Sequence, residues 1–487
     1  MKKMNSIRIA AALLMGAATF SACEVTFTVP EEEAIPCVLT VEATKGEDDA
    51  TKALEDAGTT ITATWEVNDE VQVYNSSDVK LGTIRATTAG ASTTLTGTLD
   101  STPVLGDVLT LKFKSPSYAD QEGTLDFIAS NCDYATATVT VVAADKGYGT
   151  AVTTKASFVN QQAIVKFTLK NKSGSANLPV TSLTISDGTN SYIVTPASAT
   201  NVLYVALPGF SGRTMTLTAD TEKYGLVRTG VTFENGKYYT RTVKMLPYFT
   251  VGAGKHVLFS PGNLQATYNG SSWSWAFAAN QWDYIGNVAG NTSIDGNGTV
   301  SSSNVTVDLF GWVGASSNWT GAAQYGISNS TTTGSADTYG NVKDEGLKSD
   351  WGNTISDGYT WRTLTHEEWR YMLLTRSMSI ERRSTLGQKV NNKLGIVIYP
   401  DNYAGELYVG SDWPAFEAAG CVFLPAAGRR YGTSVAVDNE QGYYWVSTSD
   451  ESDAAKAHYE YFTSSGSFFT YTNSRCWGYS VRLILEL

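Results

Sequence analysis

The feature that most restricts the fold lies between residues 59 and 247. There, short β-branched runs alternate with Gly, Asn, Asp and Ser turns, and no convincing helix separates them. The run 59–65 leads through Asn68-Asp69 to Val71-Gln72-Val73-Tyr74, and further runs follow at 109–113, 137–142, 163–169, 183–185, 202–207, 215–217 and 238–243. A period of two turns one face of each strand to a core and the other to water. Strands at this spacing predict antiparallel β-sandwiches. Two fit the available length, 59–158 and 159–247, joined after the turn Gly147-Tyr148-Gly149 because a fresh strand starts at Ala163.

Beyond residue 248 the composition changes. Eleven of the 12 tryptophans and all three histidines, His256, His366 and His458, lie on that side, so 248–487 is read as a third unit. Thr365 and Glu368 have the spacing of a capping box, and Trp369, Met372 and Leu373 form an apolar stripe behind them, which predicts one helix. Strands expected near 422–424, 442–447, 457–462, 467–470 and 479–484 would give it a sheet in a meander, an α+β unit. Net charge is −12, with 47 acidic against 35 basic residues, which disfavours a phosphate backbone and argues against nucleic acid as a partner.

Residues 1–22 read as an export signal. Lys2, Lys3 and Arg8 precede an apolar stretch at 9–20 that is too short to span a bilayer, and Ser21-Ala22 places small residues before Cys23. Phe20-Ser21-Ala22-Cys23 resembles a bacterial lipobox, which implies a lipidated Cys23 anchoring the chain to the outer membrane; the alternative is an ordinary signal peptide cleaved elsewhere. Residues 23–58 then form an N-terminal extension. It holds a candidate first strand, Val38-Leu39-Thr40-Val41, and a polar acidic loop containing Lys45 and Lys52.

Two family resemblances enter on specific residues. Trp65-Glu66-Val67-Asn68-Asp69-Glu70-Val71-Gln72-Val73-Tyr74, with Thr94-Leu95-Thr96-Gly97-Thr98-Leu99 and Gln162-Ala163-Ile164-Val165-Lys166-Phe167, resembles the fimbrillin-like (type V pilus) lipoproteins of Bacteroidales. The likeness covers about residues 38 to 247. It implies two transthyretin-like sandwiches in series and an N-terminal strand released by trypsin-like proteolysis, with Lys52 and Lys45 as the candidate cleavage residues. A solvated linker is the other reading of that loop.

The third unit resembles the Fibrobacter-type major paralogous domain, which is related to formylglycine-generating enzymes and hence to the C-type-lectin-like fold. Trp361-Arg362-Thr363-Leu364-Thr365-His366-Glu367-Glu368-Trp369, Leu424-Pro425-Ala426-Ala427-Gly428-Arg429-Arg430, Gly442-Tyr443-Tyr444-Trp445-Val446-Ser447-Thr448 and Gly478-Tyr479-Ser480-Val481-Arg482 carry it in order.

No enzyme is expected. The related enzymes use closely spaced cysteines, whereas Cys421 and Cys476 are 55 positions apart. Those two could pair as a disulfide or sit as separate buried thiols. Arg370 stands where a His-Glu-x-x-His helix needs its second histidine, and Gly-x-Ser-x-Gly does not occur. No metal or cofactor is implied.

Trp312, Trp319, Tyr325, Trp351 and Trp413 fall in Gly/Ser/Asn-rich stretches. Rigid aromatics there serve either recognition or loop plugging. After the expected last strand only Leu485-Glu486-Leu487 follows, so a subunit able to accept a strand but not donate one is expected. The combined expectation is a fimbrial tip adhesin on the cell surface. It would take a stalk subunit's strand and bind a glycan or a surface protein through its C-terminal unit. A monomeric surface-anchored glycan-binding or scaffold protein is the alternative.

Overall fold

The computed structural model describes residues 36–45, 55–56, 58, 61–62, 64–296, 304–410, 412–437, 440–464 and 468–487. The signal, Cys23 and Lys52 lie outside them. The chain is mostly β, and its first sheet closes on itself. It comprises β1 (Cys37–Lys45), β2 (Glu70–Tyr74), β3 (Lys80–Ala86), β4 (Ser92–Leu99), β5 (Val108–Phe113), β6 (Ala135–Asp145), β7 (Thr150–Thr153) and β8 (Ala156–Asn160). Antiparallel pairings run β4–β3–β2–β5–β6, and β6 continues into β7 and β8. β1 then joins the two ends. It pairs antiparallel with β4 from Cys37↔Leu99 to Thr44↔Ser92, and parallel with β7 and β8 on its other side.

The period of two in β1 decides which side chains go inside. Cys37, Leu39, Val41 and Ala43 are fully buried, while Val38 points out and is 47% exposed. They join the core built around Trp65, whose ring meets Phe113 and Phe158 edge-on at 5.5 and 5.3 Å. The Gly149 turn lies against the start of β1. Its φ is +59°, and a Cβ there would stand 2.6 Å from the Pro36 carbonyl. The Gly149 carbonyl also accepts a bond from the Val38 N–H at 2.7 Å, so the glycine permits the close approach that seats the strand.

The second unit packs two sheets face to face. Ala163–Lys170 sits between Val202–Leu207 and Tyr238–Lys244, opposite a sheet containing Leu183–Ser186, Ser191–Val194, Phe210–Ala219 and Tyr224–Phe233. Phe167, Leu169, Leu203, Leu217 and Phe233 fill the space between them. Not every pairing is antiparallel, in contrast to the sequence expectation: Ala163–Lys170 runs parallel to Tyr238–Lys244, as β1 does to β7 and β8. Parallel neighbours require long crossovers, and β-branched alternation is the same in either direction, so the pattern carried no sign of them. Asp120–Gln121 also leaves the first sheet to pair with Ser191–Val194. There the buried Gln121 amide exchanges bonds of 2.8 and 2.9 Å with the Ala206 backbone and stitches the two units together.

Residues 248–487 divide into several small sheets rather than one meander. Leu483–Glu486 pairs on both edges, with Lys255–Phe259 and with Trp361–Thr363. Val422–Pro425 pairs instead with Lys393–Ile398, and only Gln441–Ser449, Lys456–Thr463 and Phe468–Ser474 form the expected run of hairpins.

The capping box forms as read. Thr365 Oγ1 accepts from the Glu368 N–H at 3.2 Å, and Glu368 Oε2 accepts from the Thr365 N–H at 2.9 Å, opening α1 (His366–Arg370). Arg362 clamps Glu368 with two bonds of 2.7 Å and also reaches Glu486, tying the helix start to the last strand.

The long loops are braced by buried arginines. Arg475 bonds Glu345 and lies 4.6 Å over the Trp312 ring, Arg376 holds Asp401 at 2.8 Å, and Arg430 donates to the carbonyls of Leu309, Ser328 and Gly432. Guanidinium, with five donors, satisfies several loop carbonyls at once, which a core of loops needs.

Two outcomes follow for stability. Leu39→Ala, which empties β1's inward side, should lower unfolding free energy by about 2–5 kcal/mol in urea titrations, whereas the outward Val38→Thr should stay within about 0.5 kcal/mol. The second concerns His458, whose ring stacks on His366 at 4.6 Å. Burial, then the neighbouring His366, holds its imidazole below the usual 6.5. The fold therefore prefers neutral His458, and as pH falls through 6.5 the unfolded chain takes up the proton first, so this contribution to stability is lost on acidification. Melting curves should fall less steeply between pH 7.5 and 5 for His458→Gln than for the parent.

Candidate functional site

The position of β1 is the first functional feature. Its backbone is bonded on both edges while its side chains plug one core. Removing it would expose the backbone edges of β4 and of β7 with β8, and open an apolar groove lined by the partners of Leu39 and Val41. A strand of alternating apolar residues from another chain has the chemistry to refill such a slot, with main-chain bonds supplying affinity and the inward pockets supplying selectivity. No tight hairpin ties β1 to its sheet neighbours: it runs parallel to two of them and reaches β4 only after β2 and β3. Lys45 is the last residue of β1, in register with Phe158. The bond that would be cut after Lys45 leads into residue 46, outside the described residues.

The five aromatics proposed as a ligand surface do not form one. Trp312 is fully buried and donates from Nε1 to the Val446 carbonyl at 2.8 Å. Trp351 is equally buried and donates to the Tyr325 carbonyl at 2.9 Å, and Trp319 packs edge-on against Tyr339 at 4.7 Å. Tyr325 is half-buried against Trp275. Trp413 is not in a loop at all: it opens α2 (Trp413–Ala418), packed on Tyr408 and Phe423, with one edge beside a polar hollow lined by Asn391, Asn392 and Asp412. The physical reason is the one raised against the surface reading. A region with few long strands fills its interior with large rings, and backbone carbonyls accept from the indole N–H groups of Trp312 and Trp351.

Nor do Cys421 and Cys476 pair. Both are free, buried thiols in different cores, Cys421 beside Trp413 and Phe423, Cys476 beside Trp319 and Tyr339. Burial pushes them up to about 12 and about 11, which keeps them protonated and unreactive.

A separate group of aromatics does reach the surface of the C-terminal unit. Tyr431 and Tyr471 are 44% and 48% exposed, and Trp477 and Tyr461 are half-buried between them. Tyr431 meets Trp477 at 4.9 Å. The Arg429 guanidinium lies 5.3 Å from the Trp477 ring and 5.2 Å from that of Tyr443, whose hydroxyl accepts a bond from Arg429 Nη1 at 2.6 Å. Behind the strip, buried Tyr443, Tyr459 and Tyr479 stack at 5.9, 5.0 and 4.9 Å, so the outer rings rest on a rigid layer. Exposed rings held in place with an arginine between them have the composition of a recognition surface. Tyr459-x-Tyr461 was legible within an expected strand, whereas Tyr471 falls one residue beyond the strand expected at 467–470. What was missing from the sequence was their apposition to Tyr431 and Trp477, which lie on separate segments.

No protein-family model matches the chain, and no curated protein matches it. Among solved structures it is similar to a candidate cell adhesion protein from Bacteroides uniformis (13% identity, 42% of this chain and 93% of that one, TM-score 0.24). It is also similar to a fimbrial assembly protein from Parabacteroides distasonis (9%, 46% and 94%, TM-score 0.24). A third likeness is to the shaft pilin of Lactobacillus rhamnosus (13%, 43% and 96%, TM-score 0.21). Likenesses at this level assign no function.

Proposed function

We propose that this chain is a lipid-anchored cell-surface subunit of a fimbrial fibre, acting as an adhesin at its tip. The observation that carries the reading is β1: a strand that completes a closed sheet, plugs its core with Cys37, Leu39, Val41 and Ala43, and is preceded by a sequence with the features of an export signal and lipobox. Cleavage in the loop holding Lys52 would cut the covalent tie to β2 but leave the strand hydrogen-bonded in place, so an incoming donor strand must displace it. Leu483–Glu486 is paired on both edges within its own unit. The Tyr431, Trp477, Arg429 and Tyr471 surface is the adhesive face, and its chemistry suits the apolar faces and hydroxyls of a glycan. Binding, rather than catalysis, is the task assigned to the C-terminal unit.

Limited trypsin digestion of the full chain tests strand acceptance. Mass spectrometry should find a cut after Lys52. The cut protein, unlike the intact one, should then exchange β1 for a labelled peptide with the sequence of residues 37–45. A loop that resists trypsin, or a cut protein that never takes up the peptide, would overturn the reading. For the adhesive face, the Tyr431→Ala/Trp477→Ala double variant should melt within a few degrees of the parent yet lose roughly tenfold or more of its signal on any glycan array spot that the parent binds.

A further inference from the structure

Where the second β unit meets the C-terminal unit, the two line a half-open pocket of about 580 Å³. Its walls are largely apolar: Leu226 comes from one unit, and Phe249, Leu258, Trp361 and Leu485 from the other. Size, lining and position between two units are those of a small-molecule site. The polar groups are few and of mainly one sign. Lys172, Arg228 and Lys244 face a single carboxylate, Glu417, in a chain whose net charge is −12.

These charges are not equivalent. Glu417 is engaged by the Gln281 amide at 2.8 Å, and Lys172 Nζ donates to the Glu417 backbone carbonyl at 2.5 Å. Arg228 and Lys244 stand exposed at the rim, and Arg228 Nη1 donates to the Tyr359 hydroxyl at 2.9 Å. Among the described residues neither forms an ion pair with a carboxylate. Burial lowers the Lys172 ammonium below its ordinary range, and its Nζ is already bonded to the Glu417 carbonyl, so the exposed Arg228 and Lys244 are the cations open to a ligand.

We infer that this cavity binds an amphipathic organic anion of the carboxylate class, its apolar body between Leu226, Leu258 and Trp361 and its head group toward Arg228 and Lys244. The site is separate from both the β1 slot and the Tyr431 face, so it stands or falls independently of the fibre role. Charge complementarity selects the anion, and because Lys172, Gln281 and Glu417 already bond one another, Arg228 and Lys244 are left to receive a single polar end.

Sodium decanoate below its micelle concentration is the probe, titrated calorimetrically into the full chain with Trp fluorescence read in parallel. A 1:1 saturable isotherm is expected. 1-Decanol, of equal chain length and no charge, should bind at least roughly tenfold more weakly, and Arg228→Glu/Lys244→Glu, at two exposed positions, should weaken decanoate by a similar factor. Melting curves of the variant identify any failure to fold, and the decanol comparison on the parent chain decides the question without it. No saturable decanoate binding, or equal binding of decanol and decanoate, would overturn the proposal.

Discussion

A single strand held on both edges governs the N-terminal half. The other seven strands of the first sheet make an arc whose two ends face each other, and each end is a row of unpaired backbone groups until β1 lies between them. Unpaired N–H and C=O groups beside apolar side chains are costly to leave in place, so a sheet of this shape is complete only with some strand in that position. The chain supplies its own, through a segment that is covalently tied but makes no tight turn with its neighbours. That combination of strong pairing and weak connectivity sets β1 apart from the hairpin-linked strands around it.

The C-terminal half is organised by the opposite device. Its sheets are short and its loops long, so many carbonyls are not satisfied by strand ladders. Arg376, Arg430 and Arg475 enter the interior and collect them, with Trp312, Trp351 and Trp445 donating from their indoles to further carbonyls. A loop region braced in this way can present a rigid surface. Tyr431 directly follows one such brace, Arg430, and Trp477 lies two residues after another, Arg475.

How much was readable in advance differs between these halves. Alternation at 38–41 and 163–169 reported strands, which the fold extends to Cys37–Lys45 and Ala163–Lys170, because burial of every second side chain is a local property. The Thr365–Glu368 capping box was likewise readable, since donor and acceptor lie within one turn. Partner choice was not: Leu483–Glu486 finds Lys255–Phe259 across more than two hundred residues. The five aromatics illustrate the same limit. A Gly/Ser/Asn-rich neighbourhood marks a loop but does not say which side faces the interior: Trp312 and Trp351 turned inward, and Trp413 opens a helix instead.

By itself, then, the sequence determined the class of structure, the division between an aromatic-poor strand region and an aromatic-rich one, the identity of β1 as a strand, and the start of α1. These follow from period, capping and composition, all of which act over a few neighbouring residues. Only the tertiary structure decided that β1 closes a sheet through one antiparallel and two parallel pairings, that Cys421 and Cys476 stay apart, that Tyr431 and Trp477 share one face, and that an apolar cavity rimmed by Arg228 and Lys244 lies between two units. Each of those depends on contacts between segments far apart in the chain, and non-local pairing leaves no periodic trace in the residues that make it.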